Sequence, residues 1–343
     1  MTLSADEIRR AAALLELGRV VAFPTETVYG LGADAENPAA VAQIYAAKGR
    51  PSNHPLIVHL APEADINHWV RDVPDAAKKL IAAFWPGPLT LILKKAPQVP
   101  DAATGGQDTI GLRCPSHPVA QALLRAFRQG RGGVAAPSAN RFGHVSPTTA
   151  QHVKDEFGDD IGDGGRIGMV IDGGQSQVGI ESTILDLSRW ETHGPVLLRP
   201  GHIGADAIAA VIGVEPHLPD AAAPRASGTL DAHYAPRTPV ALLPSDELEA
   251  TVAMLTAAHK RLALLRHSPR TLPSNVVQIS LPSTPKGYAH GLYAALRALD
   301  GERADLILVE APPATAAWQG INDRLRRAAH DSAGILIALL ADK

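Results

Sequence analysis

Apolar residues along the chain alternate between short continuous runs and longer stretches with a helical period. The short runs predict strands at 19–23, 56–60, 89–93 and 133–136, and further strands ending near 113, 172, 186 and 199. Apolar residues spaced three to four apart predict helices near 5–15, 39–45, 75–84, 117–129 and 205–212. This alternation predicts an α/β fold.

The last third of the chain repeats the alternation on a smaller scale. Apolar runs at 240–243, 262–265, 276–281 and 306–309 are separated by helical stretches near 247–260, 288–299 and 322–330. This order favours a small α/β domain with a mostly parallel sheet. It contains no Gly-x-Gly-x-x-Gly, so we expect no nucleotide site of its own there.

Residues 213–239 are rich in proline, alanine, glycine and aspartate, which is typical of a linker. A chain of 343 residues is long for one hydrophobic core. We therefore predict three segments: a domain at 1–212, a linker or lid at 213–239, and a C-terminal domain at 240–343.

Composition and charge exclude several classes of protein. The net charge of −3 gives no global attraction to nucleic acid, and the 14 histidines show no metal-binding spacing. The single cysteine, Cys114, excludes an intrachain disulfide and a thiolate-rich zinc site. Apolar runs are too short to cross a bilayer, and residues 1–7 lack a secretory pattern, so we expect a cytoplasmic protein.

Cations recur just before prolines, at the ends of predicted elements. Lys48 and Arg50 follow a helical stretch and precede Pro51, whereas Arg113 and Arg199 end predicted strands. Arginines that converge on one concave face would bind an anionic ligand. For Lys48 and Arg50 the alternative is a solvated helix C-terminus, where the helix dipole favours cations.

Three segments combine small hydroxyl side chains with residues that break regular structure. Residues 24–32 are a predicted loop dense in threonine and glycine, which lets a ligand approach the backbone closely. The other two are 137–140 and 144–148. In the last, Ser146 before a proline predicts a helix start whose free N–H groups would also suit an anion.

These motifs together resemble those of the YrdC-type domain of L-threonylcarbamoyl-AMP synthases. The matching segments are TETVYGL at 25–31, KGRP at 48–51, PSAN at 137–140 and STI at 182–184. The HYAP segment at 233–236 and the second domain resemble the longer, two-domain form of that enzyme. The resemblance implies a YrdC-like twisted open sheet with a concave face, followed by a smaller Rossmann-like α/β domain.

The resemblance also implies a reaction, in which L-threonine, bicarbonate and ATP give threonylcarbamoyl-AMP and pyrophosphate. The product would supply tRNA threonylcarbamoyl-transfer proteins that modify an adenosine beside the anticodon, and a weak tRNA contact is expected. Mg²⁺ would accompany ATP, and no resident metal site is expected. Lys48, Arg50 and Arg113 would be the catalytic cations.

Individual contacts carry over by position. The implied threonine contacts are Thr27, His59, Arg113, Ala136 and Ser182. The implied ATP contacts are Arg50, His54, Thr109, Ser138, Ser146 and Arg199. Family members commonly have asparagine in place of His54. Tyr234 would fold over the occupied site as a lid.

Two alternatives differ in the chemistry they predict. Another carbamoyl-adenylate enzyme, such as the hydrogenase-maturation carbamoyltransferase, would bring acylphosphatase and zinc-finger modules that this sequence lacks. An RNA-binding or ribosome-assembly module would use the arginines on phosphates without ATP turnover. The low aromatic content of 4% is unfavourable for base stacking.

Overall fold

The computed structural model describes residues 4–269, 276–332 and 334–341, which form two compact units. The first unit comprises the chain up to Phe142 together with Ser146–Thr229. The second comprises Gly143–Val145 and the chain from Leu230 onward. Within the described residues, no helix is both long and apolar enough to cross a membrane.

The first unit is built on a mixed sheet with helices packed against it. Its strands are β1 Val20–Phe23, β2 Gly30–Asp34, β3 Ile57–Leu60, β4 Leu89–Lys94, β5 Thr109–Arg113, β6 Gly133–Ala135, β7 Ile167–Val170, β8 Thr183–Asp186 and β9 Val196–Arg199. Its helices are α1 Ala5–Glu16, α2 Pro38–Lys48, α3 Asp75–Phe84, α4 Pro118–Ala126, α5 Ala150–Phe157, α6 Trp190–His193 and α7 Ala205–Ile212. The α/β prediction is confirmed.

The strand order of this sheet is β7-β1-β2-β6-β3-β5-β4-β8-β9. The main core packs leucine, valine and alanine side chains, among them Val58, Leu91 and Leu112, between the sheet and helices such as α2 and α3. On the other face, a smaller apolar cluster includes Ile92 and Ile184. Residues 223 and 226, in the predicted linker, pack against that cluster.

Local signals explain most element ends, with two corrections. The helix predicted near 5–15 is confirmed, and Ser4 begins it by forming a capping box with Glu7. The prediction that Ser146 starts a helix is wrong, because α5 begins at Ala150 and Thr149 caps it by accepting a hydrogen bond from the His152 N–H. The loop predicted at 24–32 is shorter than expected, since β2 already begins at Gly30.

The second unit contains a four-stranded sheet of parallel strands in the order β10-β13-β11-β12. The strands are β10 Val240–Leu243, β11 Leu262–Arg266, β12 Val277–Ser280 and β13 Leu306–Glu310. The helices are α8 Leu248–Ala257, α9 Pro285–Gly301, α10 Gln319–Ala328 and α11 Ile335–Ala341. The predicted parallel α/β domain is confirmed, although α9 is longer than predicted because Thr284 caps it and Pro285 occupies its first turn.

Candidate active site

Two of the predicted arginines reach the same edge of the large sheet. Strand β5 is antiparallel to β4, β4 is parallel to β8, and β8 is antiparallel to β9, so β5 and β9 run in one direction. Arg113 and Arg199 are the last residues of these two strands. Arg50 follows α2 instead, past the left-handed residue Gly49 (φ 62°) that ends the helix.

Arg113 is held on three sides by oxygen atoms. Its NH2 atom lies 2.7 Å from Glu26 Oε1, and both side chains are about 95% buried or more (5% and 3% exposed). Its NH1 donates to Thr27 Oγ1 at 2.9 Å and its Nε to the Gly87 carbonyl at 3.3 Å. A guanidinium fixed in this way keeps its orientation for a planar anion such as a carboxylate.

The loop after β1 is itself fixed by hydrogen bonds. Thr25 Oγ1 lies 2.8 Å from Thr27 Oγ1 and donates to the Val28 carbonyl at 2.6 Å. Glu26 Oε2 accepts a hydrogen bond from the Ser116 N–H at 3.1 Å, just beyond β5. Glu26 therefore ties two loops together beside Arg113, a role that the motif at 25–31 did not reveal.

His59 lies on β3 directly opposite Arg113 in the parallel β3–β5 register. Its Nδ1 is 3.2 Å from the Ile57 carbonyl, which accepts a hydrogen bond in the tautomer that has the proton on Nδ1. Burial, reinforced by the positive charge of Arg113, lowers the pKa of His59 to about 3. The imidazole is therefore neutral at physiological pH and is a fixed, uncharged polar group beside Arg113.

A second group of contacts surrounds Ser182, just before β8. Its hydroxyl lies 2.8 Å from Thr90 Oγ1, and its carbonyl accepts hydrogen bonds from Arg199 Nε and NH2 at 3.1 and 2.9 Å. Arg199 NH1 also donates to the Ser227 carbonyl at 2.8 Å. Gly201 permits this packing, because a Cβ there would lie 2.5 Å from the Thr183 nitrogen.

Lys48 is buried and donates to backbone carbonyls of the 137–140 segment. Its Nζ is 2.6 Å from the Ser138 carbonyl and also contacts that of Asn140. Burial, with a smaller effect of Arg50, holds the pKa of Lys48 well below its usual range. Lys48 therefore fixes the backbone around Ser138, and the solvated-helix alternative does not describe it.

Arg50 is also buried, at 7% exposure, with Phe142 beside it. Its NH2 donates to the Pro55 carbonyl at 3.0 Å, and its guanidinium carbon lies 5.7 Å from the centre of the Phe142 ring. His54 packs edge-on against the same ring at 5.3 Å. Burial, together with the charges of Arg50 and Arg225, lowers the pKa of His54.

The remaining predicted positions lie in the same unit. Ser146 is fully buried and donates to Glu181 Oε1 at 2.5 Å, a partner that the sequence reasoning missed. Ala136 follows β6 and donates its N–H to the Ile57 carbonyl at 2.9 Å. Thr109 begins β5 and lines a cavity of about 430 Å³, of which Arg225 is also part.

Two residues that the sequence draws attention to, Cys114 and Tyr234, do not belong to the cation group. Cys114 is buried, and burial raises the pKa of its thiol to about 12, so it is not a nucleophile at neutral pH. Tyr234 belongs to the second unit, where its ring stacks on Tyr293 at 5.9 Å and lies 5.3 Å from the Arg324 guanidinium carbon. Its role as a lid stays a prediction.

Known proteins similar to this chain cover almost all of it. The family profile Sua5_yciO_yrdC, described as telomere recombination, matches residues 13–201, and the profile described as threonylcarbamoyl-AMP synthase, C-terminal domain, matches 203–330. The chain is 38% identical over 333 residues to the threonylcarbamoyl-AMP synthase of Pyrococcus abyssi, covering 94% of each chain. It is 40% identical over 336 residues to that of Bacillus subtilis, covering 94% of this chain and 93% of the relative.

A solved structure agrees with these relatives. P. abyssi Sua5 complexed with L-threonine matches with a TM-score of 0.86 at 35% identity over 96% of both chains. The fold and the site thus define an enzyme of the nucleotidyltransferase type. The chain belongs to the threonylcarbamoyl-AMP synthase family, in the form that has both a YrdC-type domain and the Sua5 C-terminal domain.

Proposed function

We propose that the chain synthesises L-threonylcarbamoyl-AMP and pyrophosphate from L-threonine, bicarbonate and MgATP. The observation that carries the proposal is the fixed Arg113 guanidinium between Glu26 and Thr27, in a chain similar over its length to a synthase solved with L-threonine. The product would serve the threonylcarbamoylation of adenosine beside the anticodon of certain tRNAs. Downstream transfer proteins would use it, and any contact of this chain with tRNA would be weak.

On the threonine side, Arg113 would bind the carboxylate, with Thr27, Ala136 and the neutral His59 around the substrate. The Ser182 hydroxyl, hydrogen-bonded to Thr90, would meet the polar end of the amino acid. A pocket that hydrogen-bonds the side-chain hydroxyl rejects valine strongly, because its own polar groups would then be left unpaired. It rejects serine weakly, because serine lacks only a methyl group.

On the nucleotide side, Arg50 and Arg199 would contact the triphosphate, with His54, Thr109, Ser138 and Ser146 around the rest of ATP. The threonine amine would capture CO₂ from bicarbonate, and an oxygen of the resulting carbamate would attack the α-phosphate and release pyrophosphate. Such a reaction depends on positioning and charge stabilisation rather than on a protein nucleophile.

Mg²⁺ would arrive with ATP. In the described part of the chain, no three His, Cys, Asp or Glu side chains are grouped closely enough to hold a metal ion. Mg²⁺ is commonly bound through substrate phosphates with few protein ligands. Lys48, held by the carbonyls of Ser138 and Asn140, would act by fixing the backbone near those phosphates.

The test is pyrophosphate release from ATP, measured with threonine and bicarbonate together and with each omitted. We expect release to require both, and mass spectrometry to detect threonylcarbamoyl-AMP. Valine should replace threonine poorly and serine in part. Release that is independent of threonine would refute the proposal, and salt-sensitive RNA binding without any turnover would favour the RNA-binding alternative.

A further inference from the structure

The segment from Ser138 to Ser146 has an implied ATP contact at each end, and its middle belongs to the second unit. Ser138, Asn140 and Ser146 lie in the first unit, whereas Gly143–Val145 group with the second. The chain thus leaves the first unit for three residues and returns immediately before Ser146. The contacts that hold Gly143–Val145 therefore also restrict where Ser146 can lie.

Within the second unit, Gly143–Val145 are held by backbone and side-chain hydrogen bonds. The Ala235 N–H donates to the Gly143 carbonyl at 2.9 Å, and His144 forms a parallel bridge with Ala235. The Val145 carbonyl accepts a hydrogen bond from NH2 of Arg297, which projects from α9. A charged donor on a carbonyl makes a stronger hydrogen bond than a neutral one.

The residues on either side of Gly143–Val145 contact the candidate site. Before them, the Phe142 N–H donates to the Lys48 carbonyl at 2.8 Å, and the Phe142 ring packs on Arg50 and His54. After them, the Ser146 hydroxyl donates to Glu181 at 2.5 Å. Since consecutive residues are joined by Cα–Cα links of about 3.8 Å, Val145 cannot move by more than a few ångströms without displacing Ser146.

We propose that Arg297 is a positioning residue for the nucleotide, acting through the Val145 carbonyl on Ser146 and Phe142. The inference rests on the proposed function, in which Ser146 and Arg50 contact ATP. Under this proposal the second unit helps to position the nucleotide contacts, although it has no nucleotide-binding motif of its own. Threonine binding, through Arg113 at the end of β5 and Thr27 in the loop after β1, does not depend on this tether.

The test compares Arg297→Ala, Arg297→Lys and a control in the full chain. Arg261→Ala is the matched control, because Arg261 also belongs to the second unit and makes an exposed ion pair with Asp305. We measure the KM for ATP at saturating threonine, and the KM for threonine at saturating ATP, by pyrophosphate release. Hydrogen exchange of the amides at 141–146 is measured on the same proteins.

We expect Arg297→Ala to raise the KM for ATP about tenfold, because one charge-assisted hydrogen bond is worth about an order of magnitude in affinity. The KM for threonine should change less than about twofold. Amides at 141–146 should exchange faster, Arg297→Lys should recover part of both effects, and Arg261→Ala should match the wild type.

Several outcomes would overturn the proposal. A merely structural hydrogen bond would lower the amount of folded enzyme while leaving both KM values unchanged. Equal changes in the two KM values would also reject a nucleotide-specific role. If Arg297→Ala does not fold, Arg297→Lys and Arg297→Gln are judged on the same KM ratio. If the wild-type protein shows no threonine-dependent pyrophosphate release, the proposed function is rejected instead. Unchanged amide exchange at 141–146 in a folded Arg297→Ala variant would reject the tether itself.

Discussion

Removing Arg113 should damage stability as well as threonine binding, because its partner Glu26 would be left behind. The pair is separated by 2.7 Å, and both side chains are almost fully buried. Breaking a buried ion pair by removing one partner typically costs about 3–5 kcal/mol, since the remaining charge is uncompensated. Arg113→Ala also loses donors to Thr27 and Gly87. Because whole domains are stable by only about 5–15 kcal/mol, this variant should be marginally folded.

A double variant separates the two effects. Arg113→Met with Glu26→Gln removes both charges, keeps similar volumes and leaves an acceptor for the Ser116 N–H, so no uncompensated buried charge remains. We therefore expect the double variant to recover most of the stability lost in Arg113→Ala. Its KM for threonine should stay high, because the planar donor for the carboxylate is gone. A preorganised contact of this kind is worth about 2–4 kcal/mol, or about 10²–10³ in rate.

The assays are urea unfolding at pH 7 and threonine-dependent pyrophosphate release. They are made on the wild type, Arg113→Ala, the single variants Arg113→Met and Glu26→Gln, and the double variant. Arg113→Lys is included, and should restore threonine binding poorly because it lacks the planar fork. Glu63→Gln, in the exposed Arg125–Glu63 pair, is the stability control and should change nothing measurable. Additive stability losses from the single variants would contradict the ion-pair argument. An unchanged KM for threonine in the folded double variant would remove Arg113 from the threonine site.

Three further predictions follow from the same contacts. Lys48→Met and Arg50→Met should each weaken ATP binding by about tenfold or more in calorimetric titration, with little change for threonine, and wild-type ATP affinity in both would contradict the assignment. The pKa of His59 is about 3 in the folded chain and about 6.5 in the unfolded chain. The contribution of neutral His59 to the free energy of unfolding is therefore fully present above about pH 6.5. It is lost at up to about 1.4 kcal/mol per pH unit as the pH falls toward 3. His59→Gln should therefore flatten the pH dependence of urea stability between pH 7 and 5, and parallel curves would refute this. Tyr234→Ala should accumulate less intact threonylcarbamoyl-AMP by chromatography if the residue limits water entry, and equal accumulation would reject the lid.

Elements whose ends are set locally could be predicted from the sequence. Strand β9 ends at Arg199 before a proline, and α3 spans Asp75–Phe84 as its apolar spacing indicates. Ser146 could not be assigned in this way. A serine before proline is a good local helix cap, but Thr149 takes that role, and the hydroxyl of Ser146 is bound by Glu181, 35 residues away. The local sequence favoured Ser146 as the helix cap, but its hydroxyl is bound to the distant Glu181 carboxylate instead.

The buried carboxylates were missed for a related reason, and each half of the candidate site contains one. Glu26 lies in a motif of hydroxyls and Glu181 immediately before Ser182, and nothing nearby in the sequence marks either as the partner of a distant group. In the proposed function, Arg113, which is paired with Glu26, would meet a substrate that is itself a zwitterion, so a compensated cation would suffice there. Lys48 is held by carbonyl dipoles, which orient its ammonium but carry only partial charge. Burial holds the pKa of Lys48 well below its usual range although the charges of Glu156 and Glu181 act to raise it, and in the proposed function a bound polyphosphate would complete the charge balance.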